Sequence, residues 1–198
     1  MQIAYYRIVL LFMFMPVVAH AQQTAEKSTT AVTEAKKAVP TDRAAQLVKE
    51  WTRAKLGAQE YIDAMPEESI GFKPTPEIRS FAEQWLHIAS AQYLFASTAS
   101  SKENPYDAEK GKDIEKMEEP KKNKAALRKL VLDSYDYIIE AARSMTLQNM
   151  DQPVKFFKSE MPRSLVLAKA LEHHAHHRGQ TTIYLRLKGI KPPSERLF

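Results

Sequence analysis

A cluster of histidines near the carboxyl terminus carries the clearest chemical signal in the sequence. The segment LEHHAHHRGQ, residues 171–180, places four histidines in five consecutive positions. On an α-helix that turns about 100° per residue, His173 and His177 lie about 40° apart, one turn above the other. Imidazole rings at positions i and i+4 can bind one metal ion together. The spacing therefore predicts that this pair supplies two metal ligands.

The helical wheel also predicts which way the pair faces. Val166, Ala170 and Tyr184 lie within about 40° of the two histidines, so the pair belongs to the inward stripe of its helix. His174 and His176 fall about 60° to either side, and we expect them toward the rim, at the surface or supporting the ligands. A histidine-rich helix without metal, with buried neutral imidazoles satisfied by hydrogen bonds, is the alternative interpretation.

A third ligand must come from another element, and His87 is the remaining histidine once an N-terminal signal is removed. It lies about 120° from the centre of the apolar stripe of its predicted helix, so periodicity alone permits an exposed or an inward position. Glu83, one turn before His87, is our candidate catalytic base, and Glu172, adjacent to His173, is a second carboxylate to consider. For each glutamate, a solvated or salt-bridged role is the alternative.

Apolar periodicity and helix-end signals predict four long helices around these residues. Asp42 is the expected N-cap of the first helix, and Pro66 ends it. Thr75 is the expected N-cap of the second, Pro162 opens the last, and Gly189 closes it. The four helices are expected to span approximately 42–65, 75–98, 123–149 and 162–188.

Two other segments are predicted to lack long helices. Residues 101–122 are charged and contain prolines and a glycine, which indicates a solvated loop with a short helical turn. Residues 150–160 are expected to be irregular, with Phe156 and Phe157 over one end of the core. Because no strand pattern is convincing, the predicted fold class is all-α, a four-helix bundle in one domain, residues 42–198.

The first 21 residues have the features of a secretory signal peptide. Arg7 precedes an apolar run over residues 8–18, and the small-x-small triplet Ala19-His20-Ala21 follows. The run is shorter than a membrane span needs and contains Pro16. We therefore expect an exported protein, periplasmic or secreted, with no stable membrane anchor after cleavage, and we interpret residues 22–41 as a flexible linker.

Composition limits the classes of partner. The chain has no cysteine, so disulfides cannot stabilise it, and its formal charge is only +5. Basic and acidic residues alternate along the chain and form no basic stripe, so we expect no nucleic-acid partner. Nothing in the pattern decides whether a bundle face forms a homodimer.

Two longer segments extend the histidine pattern. They are MPEESIGFKPTPEIRSFAEQWLHIA, which runs to just beyond His87, and MPRSLVLAKALEHHAHHRGQTTIYLRLKGIKPP at the carboxyl end. With these segments, the sequence resembles the DinB-like family of four-helix bundles, which is unrelated to the DNA polymerase sharing that name. The resemblance covers approximately residues 42–193. It implies a divalent metal held by His87, His173 and His177, while His174 and His176 are additions to the plain motif.

Three neutral imidazoles would leave an open coordination position, as in catalytic metal sites. Zn²⁺ is the expected metal, although Ni²⁺, Fe²⁺ and Mn²⁺ also accept imidazole ligands. The resemblance implies metal-dependent transfer of low-molecular-weight thiols in some relatives. We therefore hypothesise a metal-dependent hydrolase or thiol transferase for an unknown small-molecule substrate. The alternative is a non-catalytic, metal-containing binding or structural module.

Overall fold

The computed structural model describes residues 43–197, so the predicted signal peptide (1–21) and linker (22–41) lie outside the described residues. In the described part, helices dominate. Four are long: α1 (Arg43–Ala64), α2 (Phe81–Ser100), α4 (Lys124–Arg143) and α6 (Arg163–Leu187). Two are short: α3 (Glu119–Lys122) and α5 (Leu147–Met150). None of the helices in residues 43–197 is long and apolar enough to cross a membrane.

The four long helices form a bundle around one core. Helix α2 packs against α4 and α6, while α1 packs against α4 and, less extensively, α6. Trp51, Phe81, Trp85 and Tyr135 are fully buried between them. Burying such large aromatic side chains contributes much of the stability of a bundle that has no cysteine. The predicted all-α four-helix bundle is confirmed.

Helix α2 begins later than the sequence predicted. The Ser80 hydroxyl accepts a hydrogen bond from the Glu83 amide at 3.2 Å, and the Glu83 carboxylate accepts one from the Ser80 amide at 2.7 Å. This reciprocal capping box starts the helix at Phe81. The prediction of Thr75 as N-cap was wrong, because residues 75–78 form a turn in which the Ile78 amide reaches the Thr75 carbonyl at 3.4 Å.

The predicted third helix is interrupted. Helix α4 ends at Arg143, and Thr146 caps the separate short helix α5 by accepting from the Asn149 amide. The last helix agrees with the prediction: it begins after Pro162 and ends before Gly189, whose φ of +74° favours glycine.

The segment after α5 is a hairpin rather than an irregular stretch. Strands β1 (Pro153–Phe156) and β2 (Ser159–Pro162) pair antiparallel, with Phe156 opposite Ser159. Phe156 is buried against Phe95, with ring centroids 4.6 Å apart, as predicted. Phe157 is 72% exposed at the tip, so its predicted place over the core was wrong. Four-residue strands are too short for their alternation to be recognised in the sequence.

The segment between α2 and α3 is attached to the bundle. Short 3-10 turns form at Ala108–Lys110 and Ile114–Lys116, each capped by an aspartate that accepts from the amide two residues later. Ile114 is fully buried, and the turn that contains it packs against α2. The predicted loop with helical turns is confirmed, but one part of it belongs to the core.

Candidate metal centre

Three histidines meet between two neighbouring helices. His87 lies on α2, and His173 and His177 lie one turn apart on α6. One ring nitrogen from each lies within 4.8 Å of those of the other two. The centroid of the His87 ring is 5.1 Å from that of His173 and 4.5 Å from that of His177. We call these residues the histidine triad.

The position of His87 follows from the burial of α2 on more than one side. This helix packs against both α4 and α6, so residues away from its main apolar stripe are also covered. The side chain of His87 is 23% exposed and makes ring contacts with the histidines of α6. The bundle thus resolves the ambiguity that the helical wheel left open.

Glu115 holds the His87 ring. Its Oε1 lies 2.8 Å from His87 Nδ1, and because a carboxylate only accepts, Nδ1 is the donor. In the neutral ring, Nε2 is then the nitrogen with a lone pair for a metal. Arg79 Nη2 lies 3.5 Å from the other oxygen, Oε2. The hydrogen bond from His87 lowers the pKa of Glu115, and the Arg79 charge acts in the same direction. Such a carboxylate orients an imidazole for metal binding.

Gln84 holds the His177 ring in the same way. The Gln84 amide group donates to Gln180 Oε1 at 2.8 Å, and at 3.3 Å to the hydroxyl of Tyr184. Its carbonyl oxygen therefore faces His177 Nδ1 at 3.0 Å and accepts the proton there. The Nε2 atom of His177 is left as the available electron donor, and both helices contribute to fixing it.

The environment keeps the α6 pair neutral. Burial is the main reason that the pKa of His173 is lowered to about 4, and the nearby His87 acts in the same direction. Burial and the neighbouring His173 lower the pKa of His177 to about 3. At neutral pH both rings are unprotonated, which is the form that binds metal. Three imidazoles, two of them held in one orientation by hydrogen bonds, suit a divalent ion such as Zn²⁺.

The two carboxylates considered as bases have other partners. Glu83 caps α2 and lies 3.0 Å from Lys73 Nζ. Although burial opposes the shift, the Ser80 amide and Lys73 lower the pKa of Glu83. Glu172 is exposed and paired with Lys169 at 2.7 Å. These contacts account for both residues as structural groups, and a catalytic role for Glu83 stays a prediction.

The two additional histidines occupy different environments. His174 is only 3% exposed, and its Nδ1 lies 2.7 Å from the hydroxyl of Tyr135. The expected position toward the rim was therefore wrong for His174, because α1 and α4 cover that side of α6 with Trp51 and Tyr135. His176 is exposed and pairs with Gln180 at 2.9 Å, which agrees with the expected rim position.

Sequence reasoning missed two partners of the triad. Gln84 precedes His87 by one turn, and a polar residue at a buried helical position is a signal that could have identified it. Glu115 had no such signal, because it comes from a charged loop with several carboxylates and no periodicity. Only the fold brings it to His87.

The fold and the site define a class of protein, the helical bundles with a histidine triad between two helices. A model of the DinB family matches residues 22–196, and the chain belongs to that family. The resemblance noted in the sequence is thereby confirmed. A search of curated proteins finds no significant match.

Solved structures of similar proteins have the same fold. A DinB-like protein from Bacillus cereus ATCC 10987 has 21% sequence identity and a TM-score of 0.64, covering 76% of this chain and 95% of its own. A DinB-like protein from Bacillus subtilis also has 21% identity, with a TM-score of 0.57 and coverage of 77% and 96%. At this identity the likeness concerns the fold.

Proposed function

We propose that this protein is a metal-dependent hydrolase or thiol transferase that acts on a small molecule. His87, His173 and His177 are its proposed metal ligands. The observation that carries the proposal is the approach of three imidazole nitrogens to within 4.8 Å of one another at the interface of α2 and α6. The alternative of a metal-free, histidine-rich helix does not require a histidine from a second helix at the same point.

The triad is proposed to hold one divalent ion, Zn²⁺ in the first place and Ni²⁺, Fe²⁺ or Mn²⁺ as alternatives. The residues around the triad support the binding of an ion, whichever of these it is. Glu115 and Gln84 fix the orientations of the His87 and His177 rings, so neither ring must turn to bind. When bound, a metal with three histidine ligands supplies a Lewis acid that lowers the pKa of a coordinated water or thiol. The three ligands leave a coordination position for such a group.

A non-catalytic metal module is the second candidate, and the carboxylates near the site favour it. In residues 43–197, Glu115 is the carboxylate hydrogen-bonded to the triad, and its oxygens are engaged by His87 and Arg79. Glu83 is engaged by the helix cap.

A hydrolase needs a group that accepts the proton of water, whereas a bound thiolate is already a nucleophile. This difference favours thiol transfer over hydrolysis within the enzymatic candidate.

The location and partners of the protein are part of the proposal. The N-terminal pattern supports export to the periplasm or the medium, with cleavage after Ala21 and no membrane anchor in the mature chain. The mixed charges support the absence of a nucleic-acid partner. A homodimer remains a candidate assembly. Cell fractionation with mass spectrometry of the intact mature protein tests export, and a cytosolic, full-length product would contradict it.

Elemental analysis of the protein, purified without a histidine tag, is the experiment that tests the metal site. We expect about one metal ion per chain in the wild type, loss of metal in His87→Ala, and retention in His176→Ala, the matched control outside the triad. An absence of metal, with none bound on titration with Zn²⁺, Ni²⁺ or Mn²⁺, would reject the proposal. Turnover of thiol and ester substrates by the metal-loaded protein would then separate enzyme from module.

A further inference from the structure

A cleft of about 250 Å³ lies next to the triad's hydrogen-bond partner Glu115. The α1–α2 connection and the first turn of α2 form one wall of the cleft, and the turn that carries Glu115 forms the opposite wall. Its charged lining consists of Lys73, Glu77, Arg79, Glu83 and Glu115. A volume of this size accommodates a small organic molecule rather than a polymer.

Arg79 is the cation in this cleft whose side chain still has N–H donors available for a ligand. Its side chain is 43% exposed, and its contact with Glu115 is long, at 3.5 Å. This is the one hydrogen bond that its guanidinium makes to the residues that the structure describes. A guanidinium has five N–H donors, so most of them are available to another acceptor. Lys73, by contrast, is paired with Glu83 at 3.0 Å.

The backbone of Arg79 is fixed next to the metal centre. The Tyr184 hydroxyl donates to the Arg79 carbonyl oxygen at 2.6 Å, and Tyr184 also contacts Gln84, the partner of His177. Glu115 bridges the Arg79 guanidinium and the His87 ring with its two oxygens. A group bound by Arg79 therefore lies on the Nδ1 side of His87, separated from that ring by the Glu115 carboxylate.

We propose that Arg79 binds the carboxylate of a singly charged organic acid in this cleft and thereby anchors one end of the substrate next to Glu115, the carboxylate that holds the His87 ring. The inference rests on the proposed function, since it supplies the substrate class of the same site. A planar carboxylate matches the guanidinium fork and can accept two N–H bonds from it. Glu77, Glu83 and Glu115 line the same cleft, so a phosphate dianion meets more repulsion than a carboxylate does.

Titration of the cobalt-loaded protein with acetate and propionate tests this inference. Co²⁺ replaces Zn²⁺ in histidine sites and has visible absorption bands, which report both metal occupancy and changes next to the metal. Binding is measured in parallel by calorimetry. The variants are Arg79→Gln, Arg79→Lys and the control Arg128→Gln, which removes another arginine with an exposed side chain paired with a carboxylate, Asp63. Acetamide, neutral and similar in shape, and inorganic phosphate are the comparison ligands.

We expect Arg79→Gln to weaken carboxylate binding by about tenfold or more, because a charge-assisted pair is lost. Arg79→Lys should be intermediate, and Arg128→Gln should equal the wild type. Equal affinity in Arg79→Gln and wild type, or equal binding of acetate and acetamide, would overturn the inference while cobalt uptake still supports the metal site. Tighter binding of phosphate than of acetate would overturn the substrate class. Failure of the wild type to take up cobalt would reject the proposed function, and the inference with it.

Discussion

His173 and His174 are neighbours in the chain, but their rings enter different environments. His173 faces the other two histidines of the triad, and the centroid of its ring is 4.5 Å from that of His177. His174 points toward α1 and α4, where Trp51 and Tyr135 surround it and burial lowers the pKa of its ring to about 3. One imidazole is thus available to a metal, and the other is a neutral core residue that makes a hydrogen bond with Tyr135.

Alanine substitutions should separate these roles. His177→Ala should abolish metal binding and remove the stabilisation that metal gives, because two histidines remain. His174→Ala should retain metal but lower the free energy of unfolding by about 3 kcal/mol, since it leaves a cavity and an unpaired Tyr135 hydroxyl. Elemental analysis and urea unfolding measure both effects. His176→Ala, at the exposed position, should change neither, and metal loss in His174→Ala would contradict the assignment.

Glu115→Gln should weaken metal binding without unfolding the protein. The amide can still contact His87, but it loses the negative charge that favours a protonated Nδ1 and a strongly donating Nε2. We expect the dissociation constant for Zn²⁺ to rise about 10- to 100-fold, as measured by competition with a chelator. Glu109→Gln, in the same loop, is the matched control and should bind as the wild type does. An unchanged constant for Glu115→Gln would show that the contact does not support the ligand.

The histidine pair on α6 could be predicted because i, i+4 spacing and inward periodicity are local properties of one helix. The inclusion of His87 needed the family resemblance, because its own wheel position was ambiguous. The burial of His174 depends on how α1 and α4 cover α6, which no local pattern expresses.

At the scale of elements, the start of α2 shows how a short polar pattern fixes a functional residue. The capping box of Ser80 and Glu83 sets the first turn, and Gln84 and His87 follow on the same helix. Glu83, Gln84 and His87 therefore occupy fixed positions relative to one another once the cap forms. The Glu83 carboxylate was also our candidate catalytic base. A capping role and a catalytic role predict different effects when Glu83 is replaced.

Removing the cap should affect stability rather than the metal. Ser80→Ala and Glu83→Ala should each lower the free energy of unfolding by about 1 kcal/mol, because an amide at the start of α2 loses its partner. Metal content should remain that of the wild type. If the metal-loaded wild type shows turnover, Glu83→Ala should keep most of it. A loss of activity in Glu83→Ala that Ser80→Ala does not share would instead support the catalytic role.

The long helices could be predicted from apolar periodicity and end signals, and the boundaries predicted at Pro66 and Pro162 agree with the structure. The second helix was extended too far toward its N-terminus, because Thr75 with Pro76 satisfies the same local rules as Ser80 with Glu83. The β1–β2 hairpin was missed because four-residue strands have no measurable period. Contacts of loops with helices, such as that of Ile114, depend on the whole fold.

For the whole molecule, the buried histidines link stability to pH. The pKa values of His173, His174 and His177 are lowered in the folded state, while their unfolded values lie near 6.5. Below about pH 6.5 the unfolded chain therefore binds more protons than the folded one. In metal-free protein, these residues reduce stability as pH falls from about 6.5 toward the folded values.

Thermal unfolding of metal-free protein between pH 7.5 and 5 checks this linkage. We expect the melting temperature to fall as the pH is lowered through 6.5, and the decrease should be smaller in His177→Ala, which lacks one of the titrating groups. Adding Zn²⁺ at pH 7.5 should raise the melting temperature, and a chelator should reverse the change. A melting temperature that is constant over this range would contradict the neutral, buried state of these rings.

The origin of Glu115 in a connecting segment affects how activities can be compared within the family. Surface connections tolerate insertions and replacements far better than packed helices do. Two relatives could thus retain all three histidines and still differ in the group that hydrogen-bonds the α2 histidine, and in the wall of the cleft beside it. Three shared histidines are then not enough to assign the reaction of one such protein to another. The segment between α2 and α3 is where relatives with different activities should differ in sequence.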